Sequence, residues 1–183
     1  MQQASRTNEA LAREVVKTLT ARGETLACCE SLTAGLLAAT VASVPGASAI
    51  LRGGLITYAT DLKATLAGVD ADVLDRFGPV SAPVALQMAR GARERCGATW
   101  GVALTGVAGP DPQDDHPVGE VHVAVSGPTR TAATVAAEVA DTRSTRFTLI
   151  DGRPPLRVLI GDRQFIREQS VNAALSAVLR EIG

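Results

Sequence analysis

Apolar residues recur at helical spacing in some segments of the chain and form short or alternating apolar runs in others. This pattern predicts helices and strands in succession. From Asn8 to Arg22, apolar residues recur every three or four positions, and Gly23 stands where such a helix would end. The short apolar run 25–29 predicts a strand, and the Ala- and Leu-rich run 32–43 predicts a buried helix. The chain therefore begins with a helix, a strand and a second helix.

The same alternation continues to the end of the chain. A strand is predicted over 51–59, where the glycine pair 53–54 indicates a bulge or a close approach of another backbone. Further helices are predicted over 61–66, 70–77, 82–96 and from Asp162 onward, and further strands over 100–104, 120–126, 131–140 and 157–160. This order predicts a three-layer α/β/α fold with a mostly parallel sheet. A hairpin through Gly127 and Pro128 adds antiparallel pairing, so the sheet should be mixed.

Two irregular stretches interrupt the pattern. Residues 106–117 have the Gly, Pro and Asp density of a surface loop and are too polar for a core. Residues 141–156 predict an inserted hairpin or loop, an arm that would cover the site or contact another copy of the chain. With 183 residues, the whole chain 1–183 is expected to form a single domain.

Composition excludes several classes of protein. A net charge of -1 gives no field to gather nucleic acid, and no apolar run approaches the roughly 20 residues that span a bilayer. The N-terminus lacks a signal-type apolar stretch, so a cytoplasmic location is expected. Three cysteines argue against a disulfide framework, and only two histidines, His116 and His122, make a metal site unexpected.

Ser31 is the first candidate for chemistry, because it lies between a predicted strand and a predicted helix. Its ordinary role there is to cap the helix, whose free N–H groups would also stabilise an oxyanion beside the hydroxyl. A nucleophilic serine also needs a base. Lys63 follows the second strand and would serve if burial or the charge of Arg163 lowered its pKa, although a solvated lysine is the plainer interpretation.

A second candidate region begins at the end of the third strand. Thr105 precedes a run of small residues, Gly106 to Pro110, whose backbone amides could approach a carbonyl or a phosphate closely. A plain turn is equally compatible with this spacing. Asp162 is expected to cap the last helix, which places Arg163 in its first turn.

Seven blocks stand in a fixed order along nearly the whole chain: ACCESLTAG at 27–35, GGLITY at 53–58, Lys63 with Leu66, Gly68 and Val69, GPVS at 78–81, LTGVAGP at 104–110, PVG at 117–119 and GDR at 161–163. Together they resemble the CinA C-terminal domain family, whose best understood members are nicotinamide-nucleotide amidohydrolases. Several blocks in one order are far more specific than any single motif.

The resemblance implies hydrolysis of nicotinamide mononucleotide to nicotinate mononucleotide and ammonia, through an acyl-enzyme and without a metal or other cofactor. It implies that Ser31 is the nucleophile, Lys63 its base and Tyr58 a further catalytic group, with Thr105 and Arg163 binding or polarising the substrate. The remaining substrate-binding candidates in these blocks are Glu30, Thr33, Gly106 and Gly109. A small-molecule nucleotide is the expected partner, and the low aromatic content and the arm favour a homo-oligomer.

Three departures from the family pattern keep other interpretations open. Ala34 stands where members usually have a second glycine, the loop after Pro110 is acidic, and 141–156 is longer than usual. We expect a stand-alone form, without the molybdopterin-binding-like N-terminal domain of longer members. The alternatives are a catalytically silent nucleotide-binding or regulatory module, and a serine amidohydrolase acting on another amide.

Overall fold

The computed structural model describes residues 6–140, 142–150 and 152–183. Helices and strands alternate along these residues. Their order is α1 (Asn8–Arg22), β1 (Leu26–Glu30), α2 (Leu36–Ala42), β2 (Leu51–Ile56), α3 (Thr60–Thr65), α4 (Ala71–Phe77), α5 (Ala82–Arg95), β3 (Trp100–Gly106), β4 (Val121–Ser126), β5 (Thr131–Val135), α6 (Ala136–Val139), β6 (Thr145–Thr148), β7 (Leu156–Leu159) and α7 (Arg163–Ile182).

The main sheet has five strands in the order β2-β1-β3-β4-β5. Strand β1 pairs in parallel with β2 and β3, while β4 pairs antiparallel with both β3 and β5. Four strands therefore run in one direction and β4 runs against them. The predicted three-layer architecture with a mixed, mostly parallel sheet is confirmed.

Each face of the sheet is covered by helices, as the alternation of side chains along a strand requires. On one face, Cys28 and Val102 pack with residues of α1, α2 and α7, whereas on the other face Cys29 and Ala103 pack with α5. Helix α5 comes very close, since a Cβ on Gly101 would lie 2.0 Å from the carbonyl oxygen of Ala89. Small core residues thus allow tight layers despite the scarcity of aromatic side chains.

Element boundaries differ from the predictions at several places, and two of these differences have a local physical reason. Helix α2 begins at Leu36, because Ala34 (φ 49°) and Gly35 (φ 98°) adopt left-handed conformations that a right-handed helix cannot include. Strand β5 ends at Val135, where the Ala-rich segment Ala136–Val139 forms a short helix. The bulge predicted at the glycine pair is confirmed, because the register with β1 shifts so that Ala27 pairs with Gly53.

The arm contains a second, two-stranded sheet in which β6 and β7 pair antiparallel. The amide of Leu159 donates to the carbonyl of Gly119 at 3.0 Å, which ties β7 to the segment that precedes β4. Phe147 and Leu149 are exposed on this hairpin. Asp141 and Asp151, which belong to the predicted arm, lie outside the described residues. Across the described ranges, no helix is both long and apolar enough to cross a membrane.

Candidate active site

Ser31 follows the interior strand β1, at the edge of the sheet where the parallel strands end. Its amide donates to the carbonyl of Leu104 in β3 at 3.1 Å, and the carbonyl of Glu30 accepts from the amide of Thr57 at 2.8 Å. Both neighbouring strands therefore hold the end of β1. Carboxyl ends of parallel strands are where α/β folds collect their sites, and Ser31 lies there on rigid backbone.

Lys63 lies directly against this serine. Its Nζ donates to the Oγ of Ser31 at 3.1 Å and to the carbonyl of Thr57 at 2.9 Å, and the side chain is only 1 % exposed. Helix α3 starts just after β2, and Lys63 is its buried residue. Burial lowers the pKa of Lys63 from its usual 10.5, and the nearby Cys29 opposes this only in part. A lysine with a lowered pKa can accept the proton of the serine hydroxyl.

Of the two causes considered for a lowered pKa of Lys63, burial is the one that acts, and the charge of Arg163 is not among the causes. The guanidinium of Arg163 is engaged elsewhere, where Nη2 donates to the Oη of Tyr58 at 2.9 Å and Nη1 to the carbonyl of Gly109 at 2.6 Å. Asp162 caps α7 as predicted, and Arg163 follows in the first turn. Arg163 thereby joins the end of β2 to the loop after β3.

Glu30 has a different place from the one expected of a substrate ligand. Its buried carboxylate accepts the amides of Gly35 and Leu37 on Oε2, each at 3.0 Å, and the amide of Ala38 on Oε1 at 2.9 Å. The expectation that the N–H groups of α2 stabilise an oxyanion beside Ser31 is therefore wrong at these three amides. A carboxylate at a helix N-terminus is electrostatically favourable, so Glu30 anchors α2 behind the serine.

An open cleft lies in front of Ser31. Its lining contains several of the predicted candidates together with residues that the sequence did not single out. The lining residues are Ser31, Leu32, Tyr58, Gly106, Val107, Ala108, Gly109, Asp111, Gln113 and Arg163. The cleft thus combines a serine hydroxyl, a phenol, a guanidinium and a carboxylate.

Two predicted ligands have their side chains engaged or enclosed in the protein. Thr105 is 1 % exposed, and its hydroxyl donates to the carbonyl of Pro79 at 2.6 Å. Thr33 is fully buried, and its Oγ1 has no hydrogen-bond partner among the described residues. Thr105 therefore connects β3 to the segment before α5, while Thr33 belongs to the turn that follows Ser31.

The loop after β3 is more buried than its polarity predicted. Val107 and Ala108 are buried, and His116 is only 8 % exposed. The peptide bond between Gly109 and Pro110 is cis. The prediction of a surface loop holds for residues 110–115, which are exposed. It is wrong for the start of the loop, because backbone hydrogen bonds tie Val107 to Glu120 and Gly119 and pack this part against β4.

Both histidines contact one buried carboxylate, that of Glu120. His116 Nδ1 lies 3.0 Å from Oε2 and His122 Nε2 lies 3.1 Å from Oε1, while Arg153 of the arm approaches to 3.8 Å. Burial raises the pKa of Glu120, but the hydrogen bonds from His122 and His116 outweigh it and hold the pKa below its usual value. The imidazoles thus secure the loop, and Lys63 is the group that contacts the serine.

The cysteines do not offer a competing nucleophile. Burial raises the pKa of Cys28 well above its usual value, and it raises that of Cys29 to about 11 despite a hydrogen bond from Thr57 and the charge of Lys63. Both therefore remain thiols. Among the residues with described positions, no group of three or more His, Cys, Asp or Glu side chains is arranged to hold a metal ion.

Two contacts at the site have weak or no signal in the sequence. Arg167 donates to the carbonyls of Leu32 and Thr33, and its only hint is its position one helical turn after Arg163. The Thr57 contact uses a backbone carbonyl, which any residue could provide. Asp111 was noted as part of an acidic loop, but its place in the cleft depends on the loop's path.

Fold and site together define a three-layer α/β protein in which a serine after strand β1 contacts a buried lysine at the rim of an open cleft. Residues 8–148 match the family model of the CinA C-terminal domain. The chain belongs to this family.

Relatives and solved structures agree with this assignment. A CinA-like protein from Frankia casuarinae is 44% identical over 173 residues, covering 94% of this chain and 35% of that protein. A CinA-like protein from Nostoc is 39% identical over 176 residues, covering 96% of this chain and 39% of that protein. The chain thus spans little more than a third of these relatives. The structure of competence/damage inducible protein CihA from Agrobacterium tumefaciens has a TM-score of 0.80 at 31% identity, covering 98% of both chains. The structure of a CinA superfamily protein from Escherichia coli has a TM-score of 0.83 at 26% sequence identity, covering 99% of this chain and 94% of that one.

Proposed function

We propose that this protein is an amidohydrolase that converts nicotinamide mononucleotide to nicotinate mononucleotide and ammonia. The observation that supports the chemistry is the 3.1 Å contact between the Nζ of buried Lys63 and the Oγ of Ser31. The choice of substrate rests on the resemblance to the nicotinamide-nucleotide amidohydrolases of the CinA family. Ser31 is the proposed nucleophile and Lys63 the proposed base.

Acylation begins with Lys63 in its neutral form. The amine continues to donate to the carbonyl of Thr57, while its lone pair accepts the proton of the Ser31 hydroxyl. Oγ attacks the carboxamide carbon and forms a tetrahedral intermediate. The C–N bond then breaks as the lysine ammonium returns its proton to the departing nitrogen, which leaves as ammonia. The acid of the pyridine nucleotide stays bound to Ser31 as an ester.

Deacylation uses the same pair of residues in reverse. Neutral Lys63 takes a proton from a water molecule, whose oxygen attacks the ester carbon. The bond to Oγ breaks, and the proton held by Lys63 returns to the serine. Nicotinate mononucleotide is released with a carboxylate in place of the carboxamide.

The cleft offers matching groups for the rest of the substrate. The guanidinium of Arg163 and the hydroxyl of Tyr58 lie side by side at its mouth, where they can bind an oxygen of the carboxamide or of the phosphate. Gly106 and Gly109 bring backbone to the same cleft, and the carbonyl of Gly109 accepts the hydrogen bond from Nη1 of Arg163. We assign Tyr58 and Arg163 to substrate polarisation, and the glycine loop to close backbone contact.

Ammonia release from nicotinamide mononucleotide tests the proposal directly. Ser31→Ala and Lys63→Met should each abolish it, because one removes the nucleophile and the other the base while keeping the apolar stem. Ser43→Ala and Lys17→Met are matched controls at exposed sites and should retain wild-type turnover. Folded wild-type protein that releases no ammonia would refute the proposed substrate.

A serine amidohydrolase of another amide is the second candidate, favoured by one observation. Asp111 places a carboxylate in the cleft, where it opposes a phosphate. Amides without a phosphate, including the dephosphorylated nicotinamide riboside, would then be hydrolysed faster than nicotinamide mononucleotide. Saturable binding of nicotinamide mononucleotide in calorimetry, with no ammonia released from any amide of the panel, would instead indicate a catalytically silent nucleotide-binding module.

A further inference from the structure

The turn between Ser31 and α2 has an unfavourable backbone conformation, which contacts with other parts of the protein must stabilise. Ala34 has φ 49° and Gly35 has φ 98°, so two successive residues are left-handed and the first of them has a side chain. Within the turn, the amide of Ala34 donates to the carbonyl of Ser31 and the amide of Leu36 to that of Thr33, each at 3.1 Å. Such a conformation persists only where the surroundings fix it.

Arg167 supplies that support from the distant helix α7. Its Nε donates to the carbonyl of Leu32 at 3.1 Å and its Nη2 to the carbonyl of Thr33 at 2.9 Å, while Nη1 donates to the Oε1 of Gln164 at 2.8 Å. The planar guanidinium thus spans two consecutive carbonyls directly after the serine. A lysine, with one compact ammonium group, cannot reproduce this forked contact.

Glu30 and Arg167 hold opposite polar groups of the same segment. The carboxylate of Glu30 accepts amides from Gly35 onward, and the guanidinium of Arg167 donates to the carbonyls before them. Arg167 also lies one helical turn after Arg163, so both arginines share a side of α7. Helix α7 therefore positions both the guanidinium of Arg163 in the cleft and, through Arg167, the turn that follows Ser31.

We infer that Arg167 is a positioning residue, which holds the Oγ of Ser31 in line with Lys63 and the substrate without touching the substrate itself. This inference rests on the proposed function. Its consequence is a defect in turnover rather than in binding, because Arg167 is not among the residues that line the cleft and contacts the backbone of the turn. Displacement of a reacting group by about 1 Å is enough to cost roughly 100-fold in rate.

Kinetics of three variants with nicotinamide mononucleotide test the inference. Arg167→Ala should lower kcat by about 100-fold with KM within about twofold of wild type, and Arg167→Lys should fall between the two. Arg180→Ala, an exposed arginine on the same helix, should leave both constants unchanged. Methylguanidinium in the assay should restore part of the kcat of Arg167→Ala. Wild-type kcat in Arg167→Ala, or loss confined to KM, would overturn the inference.

Amide hydrogen exchange separates this inference from the proposed function. If wild-type protein does not hydrolyse the nucleotide, the proposed function fails, but exchange still reports on the turn. The amides of Ala34 and Leu36 should lose protection in Arg167→Ala and keep it in Arg180→Ala. Unchanged protection in folded Arg167→Ala would refute a positioning role. If that variant does not fold, Arg167→Lys is measured in the same way, with its melting temperature recorded, and the same two amides decide.

Discussion

Glu30→Gln should destabilise the protein far more than the change of one oxygen to an amide nitrogen suggests. The carboxylate accepts three backbone amides, two on Oε2 and one on Oε1, and the side chain is 1 % exposed. In either orientation, the glutamine amide places an NH₂ donor against at least one N–H donor. A hydrogen bond to a charged group contributes about 1.5–3 kcal/mol, and a buried unsatisfied donor costs a further 1–3 kcal/mol or so. We therefore expect a loss of about 3 kcal/mol in the free energy of unfolding.

Urea unfolding followed by the fluorescence of Trp100 measures this loss. Trp100 is the single tryptophan of the chain and pairs with Leu26 on the strand that precedes the serine. Glu9→Gln is the matched control, because Glu9 forms an exposed ion pair with Arg13 and should contribute less than about 1 kcal/mol. If Glu30→Gln unfolds within about 1 kcal/mol of wild type, the anchoring of α2 by Glu30 is refuted.

Three further predictions concern charge at the site and beside it. Because burial lowers the pKa of Lys63, kcat/KM should rise with pH through a value below 10.5, and a profile that rises only above it would contradict a buried base. The pKa of Glu120 in the folded protein lies below its ordinary 4.5, so the ionised carboxylate stabilises the fold above pH 4.5. At such pH values the free energy of unfolding should be about 2 kcal/mol higher for wild type than for Glu120→Gln. This difference should disappear as the pH falls through the folded pKa of Glu120. A difference that persists in acid would contradict it. Asp111→Asn should lower KM for the nucleotide several-fold while leaving that for the riboside unchanged, since the lost carboxylate repels only the phosphate; equal effects on both substrates would count against this role.

Most of the fold is readable from the sequence because its signals are local. The helix from Asn8 to Arg22 shows apolar residues at helical spacing and ends at Gly23, which adopts the left-handed conformation that ends helices. The hairpin through Gly127 is read in the same way, from alternation on both sides of a turn.

The start of α2 could not be read in this way. The Ala- and Leu-rich composition of 32–43 favours a helix throughout, but the carboxylate of Glu30 binds the amides from Gly35 onward and Arg167 binds the carbonyls before them. These contacts come from the preceding strand and from a helix more than 130 residues away. Tertiary contacts of this kind override local propensity.

The sequence indicated the residues of the candidate site better than their geometry. Family blocks singled out Ser31 and Lys63, and the structure brings them within hydrogen-bonding distance. The burial that lowers the pKa of Lys63 depends on how α3 places this side chain against Ser31 and Thr57, which has no local signature. Thr105 was expected to bind substrate, but its hydroxyl donates to the carbonyl of Pro79. Pro79 lies in a separate segment, so this contact could not be read from the residues around Thr105.

Detection of an acyl-enzyme tests the central claim most directly. Wild-type protein mixed with nicotinamide mononucleotide and quenched in acid should carry, on the peptide that contains Ser31, an added mass equal to nicotinate mononucleotide less one water. Ser31→Ala should carry no adduct and release no ammonia. Ammonia released by Ser31→Ala at the wild-type rate, with no adduct on Ser31 of the wild-type protein, would contradict a mechanism built on this serine.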